Sequence, residues 1–123
     1  MWIHRILILA VAILAAAAAR AHHSFAAEFL DDQTATIEGV VTEVWFRNPH
    51  VRYYLEIETD AGKENWDIRG KSPTSLIREG WTPKTIKEGD LISVHGHLGR
   101  DGRKLMSIIS IRLPDGSTIR LEY

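Results

Sequence analysis

The sequence has 123 residues, of which 45% are hydrophobic and 25% are charged, and its formal net charge is −1. These values are ordinary for a single globular domain, and they give no basic excess with which to hold a polyanion such as nucleic acid. There is no cysteine, which excludes disulfides, zinc-thiolate sites and iron–sulfur clusters.

The first 21 residues have the pattern of a secretory signal peptide. A short basic lead is followed by an unbroken apolar run of 14 residues, from Ile6 to Ala19, and then by Ala19-Arg20-Ala21. A membrane-spanning helix needs about 20 apolar residues, so the run predicts a cleavable leader and no permanent membrane anchor; an uncleaved anchor is the alternative. We therefore expect export to the periplasm of a Gram-negative bacterium. The mature chain would carry 13 basic and 16 acidic side chains.

After the signal peptide, residues 1–21, the chain is predicted to divide into an N-terminal arm and a barrel domain. The arm covers residues 22–33 and has no clean hydrophobic period, which is compatible with a helical turn or an extended strap on the barrel. The barrel domain covers residues 34–123. Its first predicted strand spans residues 34–46, with Gly39 marking a bulge or a bend.

The rest of the domain reads as short strands joined by turns. Apolar residues occupy alternate positions over residues 51–57, which predicts a half-buried antiparallel strand, and a partner strand follows over residues 63–69. Ser72-Pro73 opens a short helix, on which Leu76 and Ile77 are expected to face the barrel. Further strands are predicted over residues 90–98, 104–113 and 117–123.

Three strands, a helix and then two more strands is the element order of an OB-type barrel. The predicted fold class is therefore all-β with one short helix, as a small five- to six-stranded OB-like antiparallel barrel. Another small antiparallel barrel or a sandwich is the alternative.

Five histidines of the mature chain are candidate metal ligands: His22, His23, His50, His95 and His97. Cleavage after Ala21 would make His22 the first residue, so that its α-amine and imidazole can chelate one metal ion together. With one further imidazole this arrangement is a histidine brace, and its nitrogen donors favour square-planar Cu(II). Cleavage after Ala19 would put His22 third, where the amine and two backbone amides complete a similar Cu(II) or Ni(II) site. A solvated polar start to the chain is the alternative.

The other three histidines are candidate partners of that site. His95 and His97 are two residues apart on a predicted strand, so both side chains project from one outward face. His50 follows Asn48-Pro49 in the first inter-strand loop. Each also has a plain structural interpretation, as a surface residue near Gly96 or as a turn residue.

A second candidate surface combines aromatic and basic residues. It would bind a small molecule or an envelope protein through Trp45, Arg47, Tyr54 and Arg69. Single-stranded nucleic acid is bound by such residues in some OB barrels, but export and a negative net charge argue against it here. The sequence has no Gly-x-Ser-x-Gly elbow, phosphate loop or His-Glu-x-x-His motif. Enzymatic activity is therefore the less favoured interpretation, with a copper-dependent oxidase as its one open form.

Several short segments taken together resemble a widespread family of small exported bacterial proteins of unknown function. These segments are A-H-H-S-F directly after the leader, G-V-V-T-E-V in the first strand, N-P-H in the first loop, W-D-I in the third strand, L-I-R-E-G-W, K-E-G-D and G-R-D-G-R-K. The likeness covers most of residues 20–123 and implies an exported single-domain protein. It brings no activity with it, so the copper hypothesis depends on coordination chemistry alone. The alternative function is a non-catalytic, metal-free binding module of the cell envelope.

Overall fold

The computed structural model describes residues 1–6 and 25–121. Its strands are β1 (Phe29–Trp45), β2 (Arg52–Thr59), β3 (Gly62–Arg69), β4 (Leu91–Gly99), β5 (Leu105–Arg112) and β6 (Thr118–Arg120). One α-helix, α1 (Pro73–Arg78), lies between β3 and β4, and a 3-10 turn (Arg100–Gly102) joins β4 to β5. Residues 2–6 and 25–28 form short helical turns. Within the described ranges, no helix has the length and apolar character needed to cross a membrane.

The strands close into a small barrel. They follow the order β3-β2-β1-β4-β5-β6, and an additional pairing between β3 and β5 joins the two sides of the sheet. The β3–β5 pairing is parallel and the other pairings are antiparallel. This confirms the predicted fold class, since the helix lies between the third and fourth strands of an OB-like five-stranded ring and β6 extends the sheet beyond β5.

Strand β1 is longer than the sequence predicts, because it begins at Phe29 and not at residue 34. Phe29 pairs with Gly99, and an irregularity separates this pair from the regular ladder that starts at Thr34. The bulge in β1 falls between Val41 and Glu43. Gly39 instead allows a close approach to β2, since a Cβ there would lie 2.6 Å from the carbonyl oxygen of Glu56.

The core lies inside the barrel and follows the period-two pattern of the strands. Val51, Tyr53 and Leu55 of the predicted alternating segment are at most 1% exposed, as half-buried antiparallel strands require. The central strands β4 and β5 contribute Ile92, Val94, Met106, Ile108 and Ile111 to the same cluster.

Helix α1 packs against the barrel. The Ser72 side chain caps its first turn by accepting a hydrogen bond from the Ser75 backbone N–H, and proline occupies the first helical position. Leu76 is fully buried, but Ile77 is 57% exposed, so the prediction that both pack on the barrel is wrong for Ile77. Neighbouring helical positions lie about 100° apart, and a helix of six residues buries only one stripe.

Candidate functional site

Six outward-facing residues form a continuous row across neighbouring strands of the barrel. Its members are direct cross-strand partners from β1, β2, β3, β5 and β4, and we call them the outer band: Trp45, Arg52, Arg69, Ser107, His97 and Thr34. Directly opposed residues on neighbouring strands project from the same side of a sheet. The band therefore places an arginine pair, a hydroxyl and an imidazole next to one another on the outside of the molecule.

Ser107 is unusual within the outer band, because it faces outward and is still only 1% exposed. Its two neighbours in β5 belong to the core, so the side chain of Ser107 points away from it. Its cross-strand partners are Arg69 on one side and His97 on the other. Both partners contact the short helical turn of residues 25–28, which we call the arm turn. This part of the N-terminal arm therefore lies over the outer band.

The arm turn touches β4 through an aromatic contact. The Phe25 ring meets the His97 ring edge-on, with centroids 5.4 Å apart and an interplanar angle of 90°. Phe25 also packs against Phe29 at the start of β1, with ring centroids 5.2 Å apart. The first described residue of the arm is thereby held at His97.

Three arginines bind the polar side of the arm turn. Arg69 Nη1 donates to Glu28 Oε2 at 2.7 Å. From the β4–β5 connection, Arg103 Nη2 donates to the carbonyl oxygen of Glu28 at 3.3 Å, and Arg100 Nε donates to the carbonyl oxygen of Ala26. Carbonyl oxygens left unpaired at the end of a helical turn are natural acceptors for such donors.

Three buried polar atoms on the outer side of the barrel have no hydrogen-bond partner. Among the described residues, His97 Nδ1, Ser107 Oγ and Asp67 Oδ1 are buried and make no hydrogen bond. Each such atom costs on the order of 1–3 kcal/mol relative to a paired one. Asp67 lies two residues before Arg69 on the same face of β3, so all three atoms belong to one outer region. Buried polar atoms without a partner call for an explanation, and a bound ion or water is one.

The remaining candidate histidines are placed differently. His95 shares the outward face of β4 with His97, as predicted, but its Nδ1 lies 3.0 Å from Thr36 Oγ1. His50 is exposed, and its Nδ1 lies 3.1 Å from the carbonyl oxygen of Gly70. His22 and His23 are outside the described residues. Within the described part of the chain, no three His, Asp or Glu side chains form a group that could hold a metal ion.

The predicted aromatic and basic surface exists in part, around Trp45. The Arg47 guanidinium lies 4.1 Å from the centroid of the Trp45 ring, and Tyr54 meets that ring edge-on at 5.5 Å. The Trp45 indole N–H donates to the carboxylate of Glu43. We call Trp45, Arg47, Arg52 and Tyr54 the Trp45 cluster; Arg52, at 5.9 Å from the Trp45 ring, was not among the sequence candidates.

Arg69 belongs to the arm contacts and not to the Trp45 cluster. Its Nε and Nη2 donate to Asp67 Oδ2 at 3.3 Å, while Nη1 binds Glu28. Burial by itself would lower the pKa of Arg69, but the hydrogen bonds and charges of Glu28 and Asp67 outweigh it and raise that pKa. The guanidinium is a permanent cation held between two carboxylates.

Four residues of this region were not among the candidates chosen from the sequence: Glu28, Arg52, Asp67 and Ser107. The period-two pattern of β2 and β3 does assign Arg52 and Asp67 to the outer face. Nothing local marks Glu28, since its partner Arg69 is 41 residues away in the chain.

The chain matches one family model and is distantly similar to several solved structures, two of which are described here. The crystal structure of TiaS in complex with its tRNA and ATP is 20% identical over 76% of this chain and 20% of that chain, with a TM-score of 0.47. Apo TiaS, a tRNA agmatidine synthetase, is 20% identical over 66% of this chain and 18% of that chain, with a TM-score of 0.45. The chain thus spans about a fifth of those chains, and at this level neither likeness bears on its function.

No curated protein matches the chain. The model of one family, described as a family of unknown function (DUF6152), matches residues 10–107, which is most of the sequence and covers the barrel from β1 to the start of β5. The chain belongs to the DUF6152 family.

Proposed function

We propose that this DUF6152 protein is exported to the periplasm, loses residues 1–21, and binds Cu(II) through His22 at its new N-terminus with His97 as partner ligand. The role is metal carriage or buffering, without turnover. The observation that carries the proposal is the contact of Phe25 with His97, an imidazole whose buried Nδ1 has no hydrogen-bond partner among the described residues.

The length of the chain allows His22 to reach His97. Phe25 follows His22 by three positions, and three extended residues span at most about 10 Å. The Phe25 ring lies 5.4 Å from the His97 ring, so the α-amine and imidazole of His22 are within reach of that imidazole. Among the three partner candidates of the barrel, the position of the arm turn supports His97 over His50 and His95.

The donor set suits copper. An α-amine and two imidazoles are nitrogen donors of the kind that Cu(II) prefers in a tetragonal arrangement. The α-amine exists only after cleavage, because in the precursor the nitrogen of His22 belongs to a peptide bond. Metal binding would therefore begin with processing, and His23 is placed to serve as an additional imidazole.

The test starts from protein exported by its native host or a close surrogate. Its intact mass should begin at His22, and Cu(II) should bind one-to-one. His97→Gln should raise the Kd at least about tenfold, equal to about 1.4 kcal/mol, while the matched variant His95→Gln should change it less than about threefold. A protein that begins at Ser24 and still binds Cu(II) with full affinity would exclude the N-terminal site.

A second candidate function is supported by the Trp45 cluster. The exposed Arg47 guanidinium over the Trp45 ring, with Tyr54 at the ring edge, is an arrangement suited to a small ligand or an envelope protein that binds without metal. Tyr54→Ala should abolish such binding while the circular dichroism spectrum stays unchanged. An interaction that survives Tyr54→Ala would argue against this surface.

A further inference from the structure

Three arginines of the barrel converge on the arm turn, and all three contacts are made to acceptors of the arm itself. Arg69 binds the Glu28 carboxylate at 2.7 Å, Arg103 binds the Glu28 carbonyl oxygen, and Arg100 binds the carbonyl oxygen of Ala26. If the arm turn moved away, the three guanidinium groups would lose these acceptors together. A positively charged surface is therefore covered by a segment of the same chain.

Arg69 is ordered independently of Glu28. Its Nε and Nη2 donate to Asp67 Oδ2 at 3.3 Å, and its side chain is only 17% exposed. Asp67 also accepts from Arg52 Nη1 at 3.3 Å, so its negative charge is shared between two arginines. Because Asp67 fixes one edge of the Arg69 guanidinium, Nη1 stays directed at the place where the Glu28 carboxylate lies. A fixed, planar guanidinium of this kind is well suited to bind a carboxylate.

A second observation shows that Glu28 does not use all the polar groups of this surface. Ser107 lies between Arg69 and His97 in the strand ladders, and directly opposed neighbours have Cβ atoms about 5 Å apart. Ser107 is 1% exposed, and its Oγ, like His97 Nδ1, has no hydrogen-bond partner among the described residues. A ligand oxygen placed beside Arg69 could accept a hydrogen bond from Ser107 that the arm turn leaves unmade.

The arrangement of the arginines indicates the chemical class of the ligand. Glu28 presents a carboxylate to Arg69, but only neutral carbonyl oxygens meet Arg100 and Arg103. One carboxylate could therefore replace the Glu28 side chain and would leave the other two cations without an acceptor. A molecule with two or three carboxylates provides an anionic group for Arg69 and another for the β4–β5 connection.

We propose that the outer band and the β4–β5 connection form a binding site for a small di- or tricarboxylate, and that the Glu28 carboxylate is its internal competitor. The binding groups are Arg69, Ser107, Arg100 and Arg103. The ligand displaces the arm turn when it binds, so its apparent affinity is reduced by the fraction of molecules in which the arm turn is docked. This site uses only side chains of the barrel, needs no metal, and goes beyond the proposed copper function.

The first test compares Glu28→Gln with Glu38→Gln by calorimetric titration with succinate and with tricarballylate, in metal-free buffer of constant ionic strength. Both variants remove one negative charge from an ion pair with arginine, but Glu38 pairs with Arg112 at 3.7 Å, with both side chains about 60% exposed. Glu28→Gln should tighten binding about fivefold, because it removes the competitor. Glu38→Gln should change it less than about twofold. Binding that Glu28→Gln leaves unchanged or weakens would overturn the proposal.

The second test removes the binding groups. Arg69→Gln and Arg103→Gln should each weaken tricarballylate binding about tenfold, since each removes a charge-assisted hydrogen bond. Arg103 is exposed, so its variant tests the site even if Arg69→Gln does not fold. Arg112→Gln is the matched control and should leave the affinity unchanged. An equal loss in Arg112→Gln and Arg103→Gln would show only general attraction to a positive surface, and would overturn the site.

The choice of probe tests the ligand class. Acetate should bind at least about tenfold more weakly than succinate, because it provides one carboxylate where the site offers several cations. Inorganic phosphate that binds more tightly than tricarballylate would overturn the carboxylate assignment. If no probe binds to Glu28→Gln at millimolar concentrations, the site itself is excluded.

A spectroscopic measurement tests the displacement of the arm turn. The Phe25 ring lies edge-on to the His97 ring with centroids 5.4 Å apart, so the NMR shifts of the His97 imidazole protons report whether the arm turn is docked. Saturating tricarballylate should move these shifts toward those of Phe25→Ala. Binding without such a movement would show that Glu28 is no competitor, and would overturn the proposal. None of these outcomes depends on whether the protein binds Cu(II).

Discussion

Tyr53 carries a polar hydroxyl group at a buried position. Its side chain is 1% exposed, and its hydroxyl has no hydrogen-bond partner among the described residues. Burial raises the pKa of Tyr53 above its ordinary value near 10. The outer band tolerates unpaired atoms where a ligand could use them, but Tyr53 points into the core, where the hydroxyl only costs stability.

We expect Tyr53→Phe to increase the free energy of unfolding at pH 7 by about 1 kcal/mol, because it removes an unpaired buried hydroxyl and keeps the ring. The substitution should also change how the stability depends on pH. The folded state keeps the phenolic proton above pH 10 while the unfolded state loses it, so wild-type stability falls as the pH rises beyond about 10. The Phe variant should lose less over that range.

Urea denaturation at pH 7 and at pH 11 measures both effects. Tyr54→Phe is the matched control, because Tyr54 is the neighbouring tyrosine on the outward face of β2 and should change the stability at pH 7 by less than about 0.5 kcal/mol. A Tyr53→Phe variant that is less stable than wild type at pH 7 would show that the hydroxyl does form a favourable interaction.

At the scale of elements, strand β4 depends on a glycine between its two histidines. A Cβ on Gly96 would lie 2.2 Å from the carbonyl oxygen of Ser107 and 2.7 Å from Met106 Cγ. The register between β4 and β5 also shifts between His95 and Gly96. The absence of a side chain at residue 96 therefore lets the two strands approach, and it sets the position of His97 beside Ser107.

Gly96→Ala should lower the free energy of unfolding by about 2 kcal/mol or more, since the carbonyl oxygen is backbone and cannot move aside without disturbing the ladder. Gly70→Ala is a suitable control, because the nearest atom to a Cβ there would be Ile108 Cδ1 at an ordinary 3.5 Å. It should cost less than about 1 kcal/mol. Equal effects of the two substitutions in chemical denaturation would contradict this account of Gly96.

The elements that the sequence predicted correctly are those defined by local chemistry. Alternation over residues 51–57 and the Ser72-Pro73 start of α1 depend on neighbours in the chain, and the structure confirms both. The start of β1 could not be predicted in this way. Phe29 belongs to the strand because it pairs with Gly99 on β4, a partner that no local pattern reveals.

The same distinction explains how much of the candidate site the sequence could predict. Alternation placed His95 and His97 on one outward face of β4, and the structure has them there. It could not distinguish them, because the difference arises from Thr36 on one side and Phe25 on the other. Arg69 was grouped with the aromatic residues of β1 and β2, whereas its partners are Asp67 and the distant Glu28.

At the scale of the whole molecule, the stability of the barrel core does not depend on the arm turn. The buried core cluster runs from Val41 to Leu121 and includes no residue of the arm turn. Closure of the ring comes from the β3–β5 pairing of residues 67–69 with residues 105–107. The arm turn adds an ion pair, two hydrogen bonds to arginines and the packing of Phe25 on the outside of this closed ring.

A protein that begins at Phe29 should therefore still fold. Partly exposed ion pairs contribute up to about 1 kcal/mol, and an aromatic pair adds about 0.5–1.5 kcal/mol beyond its buried area. We expect the free energy of unfolding to fall by about 2 kcal/mol relative to the processed protein that begins at His22, with one cooperative transition seen by tryptophan fluorescence and circular dichroism.

The truncation should also uncover the outer band. Ser107, now 1% exposed, and the buried Nδ1 of His97 would gain contact with water. Because these unpaired atoms would no longer be buried, they would no longer cost stability, and this gain offsets part of the fall in the free energy of unfolding. Cu(II) binding should drop to that of an ordinary surface histidine, because the remaining barrel holds no group of three suitable ligands among its described residues. A truncated protein without a cooperative transition would instead make the arm turn part of the fold, and any loss of copper binding would then follow from unfolding.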